Sequence, residues 1–75
     1  MTTKINWEDK TSLPRNKKLE IGIALRRSEK DKGDIRINIL NRLQLILNGY
    51  KLGYGGSHVW ISHPNNKRIA IITFN

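Results

Sequence analysis

Residues 57–74 read SHVWISHPNNKRIAIITF, a stretch that leaves little choice of structure. Two runs rich in β-branched and aromatic residues flank Pro64-Asn65-Asn66. Proline presets the first torsion of a turn, and asparagine tolerates the left-handed region. The segment therefore predicts a β-hairpin with strands over 57–63 and 67–74. A four-residue loop over 64–67 sets His63 opposite Arg68, Ile61 opposite Ala70 and Val59 opposite Ile72. Because strand side chains alternate, one face then carries Val59, Ile61, Ala70, Ile72 and Phe74 and needs a covering layer. The other face carries His58, Trp60, Ser62, Ile69, Ile71 and Thr73.

The cover is expected just upstream. Asp34 suits a helix N-cap, and Ile35, Ile39, Leu40, Leu43, Ile46 and Leu47 follow at helical spacing. Asn48-Gly49 supplies the stop. Ile37 and Leu45 widen the apolar side, so this helix over 34–48 should be mostly covered. Tyr50–Tyr54 alternates large residues with Lys51 and Gly53 and reads as a strand, which Gly55-Gly56 breaks.

Residues 18–27 (KLEIGIALRR) fit two patterns. Leu19, Ile21, Ile23 and Leu25 alternate, which favours a strand, although they also form i,i+4 pairs. Residues 1–17 read as an irregular basic and polar arm without period, with Ile5 and Trp7 able to pin it to the core. The expected architecture is a single small α+β domain over 18–75. One main helix packs on a three-stranded antiparallel sheet, and the N-terminal part supplies an extra strand or helix.

Composition narrows the function classes. The chain has 75 residues, no cysteine and a formal net charge of +8. Disulfide scaffolds and thiolate metal sites are excluded. No apolar run approaches the ~20 residues that cross a bilayer, and the N-terminus lacks a signal-type segment, so a cytoplasmic protein is expected. All six acids precede residue 35, whereas Arg36, Arg42, Lys51, Lys67 and Arg68 follow it. An acid-free basic half favours a polyanionic partner, either nucleic acid or an acidic protein. The bland alternative is a solvated surface. Two histidines with no acid near them in sequence are too few for a metal site, and YGGS lacks the lysine and spacing of a nucleotide-binding loop. Neither metal nor cofactor is expected.

From Asn41 to Phe74 the chain resembles the HicA family of toxins, small ribonucleases that cleave messenger RNA and are restrained by a HicB antitoxin. The resemblance is carried by a helix ending in Asn48-Gly49-Tyr50, by Gly56-Ser57-His58 opening a strand, by His63-Pro64 before a turn, and by basic residues leading an apolar strand. It implies an α-β-β-β-α fold of the double-stranded-RNA-binding type, with His58 in the catalytic position. Here the sequence closes at Asn75, where the family pattern continues into a helix, and some 33 residues precede the main helix.

The residues themselves bear on that implication. A histidine can act as a general base near neutral pH, and RNA carries its own nucleophile in the 2′-hydroxyl. Gly55 and Gly56 would let a phosphate approach the backbone amides, and Lys51, Lys67 and Arg68 would supply charge. Arg26-Arg27, Arg36 and Arg42 could extend a phosphate-tracking surface. Trp60 shares the face of His58 and could stack on a base. The structural alternatives are a strand-start His58 bonded to a carbonyl, a Trp60 buried in a core or interface, and a His63 packed against Pro64. His63 lies across the strand from His58 and makes a poor acid–base partner.

Three readings follow. The first is a small basic RNA-binding protein with metal-independent endoribonuclease activity at His58, held by an antitoxin or other acidic protein. The second is a non-catalytic nucleic-acid-binding module. The third is a phage- or plasmid-type inhibitor or adaptor whose Trp60, Ile69 and Ile71 form an apolar patch that binds a protein or a second copy of the chain. None requires a membrane.

Overall fold

A computed structural model describes residues 2–75. In chain order the elements are β1 (Thr3–Trp7), α1 (Arg15–Lys30), α2 (Ile35–Ile46), β2 (Lys51–Gly55), β3 (His58–Ser62) and β4 (Arg68–Phe74). The four strands form one antiparallel sheet in the order β1-β4-β3-β2. Both helices cover the same face. The architecture is α+β as expected, with α2 and the β2–β4 meander present and enlarged by a helix and a strand from the N-terminal third. No helix among the described residues is long and apolar enough to cross a membrane.

Helix α2 forms for the reasons its sequence states. The Asp34 carboxylate accepts from the Arg36 amide at 2.9 Å, satisfying one of the orphan donors of the first turn. Ile35, Ile39, Leu43 and the following Leu47 are buried. The expectation of a mostly covered helix fails for Ile37 and Leu45. Leu45 is 85% exposed, because it lies on the side of α2 that faces away from the sheet.

Residues 18–27 are helical, not a strand. Ile21, Ala24, Leu25 and Ser28 are buried, a stripe at i, i+3, i+4 and i+7. Leu19 and Ile23 belong to a second stripe and remain 60% and 56% exposed. The alternation in the sequence is thus two helical stripes superposed, one in the core and one in solvent. Tertiary packing against α2 and the sheet selects the helix.

The N-terminal arm is not irregular throughout. Thr3, Ile5 and Trp7 pair with Phe74, Ile72 and Ala70, while Lys4 and Asn6 turn to the other face. Ile5 and Trp7 do pack against the core, and Lys18 lies 5.2 Å from the Trp7 ring centroid. The buried Thr3 ties this strand to α1: its amide and hydroxyl both donate to Glu29 Oε2, at 3.0 and 2.6 Å. Arg26 also pairs with that carboxylate. The Thr3 hydroxyl, more than the arginine, holds the Glu29 carboxyl below its usual range.

The hairpin register holds at Val59–Ile72 and Ile61–Ala70, but Arg68 pairs with Ser62 and not with His63. A bulge intervenes after Ile61. It turns Ile69 and Ala70 together toward the core, where both are fully buried. Ile69 therefore leaves the outer apolar patch expected from strict alternation. Its carbonyl accepts from the Glu8 and Asp9 amides at 2.8 and 3.0 Å, so the bulge also anchors the end of β1.

The two stripes of α1 should respond differently to truncation. Ile21→Ala is expected to cost about 2–5 kcal/mol, as a buried cavity does. Ile23→Ala should stay within about 0.5 kcal/mol. Urea unfolding of the two variants checks this; equal losses would contradict the helical placement.

Candidate nucleic-acid interface

The helices leave the second face of the sheet uncovered. Cross-strand pairing brings Lys51, Gly53 and Gly55 of β2 beside Ser62, Trp60 and His58 of β3. Next come Ile71 and Thr73 of β4, then Asn6 and Lys4 of β1. The centre of this face is Trp60, half-buried though no helix covers it. Its indole lies across the glycines of β2. A Cβ on Gly53 would fall 2.7 Å from Trp60 Cζ2 and nearer still to Nε1, and one on Gly55 would meet the ring at 3.6 Å. Gly53 is thus needed for close approach: the strand lends its bare backbone as a seat for the ring.

The turn between β2 and β3 is two residues long, Gly56-Ser57, with Gly56 at φ +55°. A first central glycine with positive φ suits the type II′ hairpin. That turn sets His58 at the start of β3, exposed, with its ring centroid 6.2 Å from that of Trp60. His58 makes no side-chain hydrogen bond among the described residues. It is not bonded to a carbonyl, as the structural alternative had it. A shallow recess of about 390 Å³ runs beside it, lined by His58, Trp60, Ser62, Asn66, Arg68 and Ile71.

The charges only partly follow expectation. Lys51 reaches Asn66 Oδ1 at 2.7 Å, across the mouth of the second turn. In that turn Asn66 sits at φ +73°, the left-handed conformation its sequence position suggested. Arg68 is on the open face but not free: Glu8 accepts from its Nε and, at 3.1 Å, from its Nη2. An acid-free stretch of sequence is therefore not an acid-free surface, because β1 delivers Glu8 to it. Lys67 is exposed in the turn ahead of β4.

The other candidate cations lie elsewhere. Arg36 pairs with Asp34 at 2.9 Å and sits 5.4 Å from the Tyr54 ring centroid, on the helix side. Its hydrogen bond to Asp34 raises the guanidinium above its ordinary value and lowers the carboxyl. Arg42 pairs with Asp31, and Arg26 with Glu29. Lys51, Gly55, Trp60 and Arg68 are thus brought together with His58, while Gly56 and Lys67 flank them in turns. Lys4 and Asn6 belong to the same face and were missed, although the alternation of Thr3-Lys4-Ile5-Asn6-Trp7 was there to be read.

His63 serves a different structure. Its Nε2 lies 2.9 Å from Ser12 Oγ, and its ring is 5.8 Å from Tyr50, so it packs on Tyr50 and not merely on Pro64. Ser12 also bonds to the Asp9 carboxylate. A hydroxyl has one proton to give, and ionised Asp9 can only accept, so Ser12 accepts from His63 Nε2–H. Hydrogen bonds from Ser12 and then Thr11 pull the Asp9 carboxyl from 3.8 down to about 2. So weak a base does not activate Ser12 as a nucleophile, and the order Asp–Ser–His puts the histidine at the wrong end for that chemistry. The triplet is a clasp between the arm and the β3–β4 turn.

No protein-family model matches the chain, and no curated protein or solved structure is significantly similar to it. The reading of the open face rests on its geometry.

Two outcomes are expected. Asp9 is more acidic folded than unfolded, so it stabilises the fold above its unfolded value, and that stabilisation is lost as pH falls from 3.8 toward about 2. Asp9→Asn should flatten the acid limb of the unfolding midpoint in that window; an unchanged limb would show that the clasp does not form. Gly53→Ala should unseat Trp60 and cost about 1–3 kcal/mol. In a Trp7→Phe background, which leaves Trp60 as the sole indole, its emission should shift to the red.

Proposed function

We propose that the open sheet face binds single-stranded nucleic acid, with RNA preferred. The carrying observation is Trp60, held against Gly53 on the face that no helix covers. A seated, half-exposed indole offers a stacking surface worth ~1–3 kcal/mol per base. Bases inside a duplex are already stacked and cannot reach it, which favours a single strand. Lys4 and Lys51 flank the ring on opposite edges of the sheet, where a phosphate backbone crossing it would meet both. The pairing of Arg68 with Glu8 reduces what that arginine contributes. The preference for RNA rests on the resemblance of Gly56-Ser57-His58 and its surroundings to HicA toxins.

A second reading is favoured by one observation, the unbonded ring of His58 beside Trp60. On this reading His58 takes the proton of a 2′-hydroxyl, whose oxygen bonds to the adjacent phosphorus to give a 2′,3′-cyclic phosphate as the bond to the 5′-oxygen breaks, and that oxygen takes its proton from water. The glycine turn would face the developing charge, whereas Lys51 lies at the other end of β2, paired with Ser62 and bonded to Asn66. A protonated second group would assist the leaving oxygen, and His63, engaged by Ser12, is not available for that.

Binding of a fluorescent roughly 10-nucleotide RNA, measured by anisotropy over a salt series, separates these readings. Trp60→Ala should weaken binding by about 5- to 150-fold, the equivalent of one lost stack. Lys51→Gln should reduce the salt slope by about one. A flat salt response, or binding indifferent to Trp60, refutes the interface. His58→Ala should preserve affinity and abolish product formation; if the parent protein releases no cleaved RNA, the nuclease reading fails and the binding reading stands.

A further inference from the structure

The second stripe of α1 has no role in the core or on the sheet face. Leu19 and Ile23 stand one turn apart on α1, and Leu45 of α2 is the most exposed large apolar residue among the described residues. Between the two helices Ile23 and Leu45 wall a groove of about 290 Å³ whose floor is Ala24 and Ile46. Arg27 and Arg42 stand along it. Scattered apolar residues on a surface need no explanation, but here Ile23 and Leu45 line one groove together, with cations at its rim.

We infer that this groove docks an acidic amphipathic helix of a partner protein, its aliphatic side chains seated between α1 and α2. Three candidate occupants differ in what they demand. A second copy would oppose one helical layer to another. Helix α1 carries six bases against two acids, and α2 two bases and no acid, so two such layers repel. An anionic bilayer matches the charge but is flat, and it would leave the recessed Ala24 floor unfilled. An acidic helix satisfies both constraints: a row of aliphatics at i, i+3/i+4 and i+7 fills a groove between helices, and flanking carboxylates meet the arginines. Arg27 is the cation to meet them, since no carboxylate pairs with it among the described residues, whereas Arg42 already holds Asp31. Glu20, the one acid at the groove, is engaged by Lys17 at 3.6 Å.

A displayed library of random 16-residue peptides, selected on the full chain and counter-selected on Leu45→Gln, tests the assignment. Leu45 is so exposed that its replacement should leave the fold intact, and Ile23→Gln serves as a second variant. Selected peptides should combine helical aliphatic spacing with Asp and Glu. Synthetic copies should bind at least ~10-fold more weakly to Leu45→Gln and to Ile23→Gln. Arg27→Gln should flatten their salt dependence, and Trp60→Ala should leave their affinity unchanged. Enrichment of basic peptides, or none that discriminates Leu45→Gln, overturns the proposal. So does sedimentation of the parent as a dimer that Leu45→Gln dissociates, or Leu45-dependent binding to vesicles of neutral and anionic lipid.

Discussion

The packing of Ile21, Leu25, Ile39 and Leu43 against Val59, Ile61, Ala70 and Ile72 is the contact that the other features depend on. It joins both helices to the two central strands, and Leu13, Ala24, Ile35, Leu47 and Ile69 complete the same buried cluster. A chain of this length buries a modest core and has no second layer to spare. One face of the sheet is therefore covered and the other must be stable in water. The open face meets that condition with few large apolar groups. Its one large aromatic ring lies on the backbone of Gly53 and Gly55, so the exposed strand β2 is covered from within the sheet. The same solution leaves the outer surface of the indole to solvent, which is why a structural device is also a candidate binding platform.

The edge beside β4 is closed by chain that lies far away in sequence. Strand β1 pairs with β4, and the bulge at Ile69 presents a carbonyl to Glu8 and Asp9. The clasp of Asp9, Ser12 and His63 then fixes the connection toward α1, and Thr3 fixes the start of the strand to Glu29. These bonds decide the electrostatics of the open face as well. By bringing Glu8 onto Arg68, they leave Lys4 and Lys51 as the cations of the open face without a carboxylate partner among the described residues, while Lys67 acts on the Asp9 carboxylate.

What was legible in the sequence was local. Asp34, the spacing of Ile35, Ile39 and Leu43, and the stop at Asn48-Gly49 define α2 without reference to the rest of the chain. The pairing of Val59 and Ile61 with Ile72 and Ala70 was anticipated for a four-residue loop, but the turn sets Ser62 opposite Arg68 and the bulge at Ile69 restores that pairing. Residues 18–27 were not legible, because Leu19, Ile21, Ile23 and Leu25 satisfy both periods, and only the presence of α2 and the sheet decides between them. The bulge at Ile69 depends on donors some 60 residues away, and the seating of Trp60 on Gly53 depends on a cross-strand contact. The face carrying His58 and Trp60 was readable as a face; that Glu8 and Lys4 join it was not evident from the acid-free C-terminal stretch alone.

The two proposed surfaces lie on opposite sides of the sheet–helix sandwich, whose shortest dimension is 19 Å. Both draw on the same excess of positive charge, so an acidic helix in the α1–α2 groove would lower the potential felt by RNA on the sheet face. The extent of that coupling is a matter of screening. The Debye length is about 8 Å at physiological ionic strength and about 30 Å at 0.01 M salt. At low salt the screening length exceeds the shortest dimension of the molecule and the two sites should oppose each other; at physiological salt it is less than half that dimension. The groove residues Ile23 and Leu45 are exposed, and the floor residues Ala24 and Ile46 meet the core on the inner faces of β3 and β4. A protein partner on the helices would then tether this domain without displacing a strand bound over Trp60, which distinguishes it from an inhibitor acting at the sheet face itself.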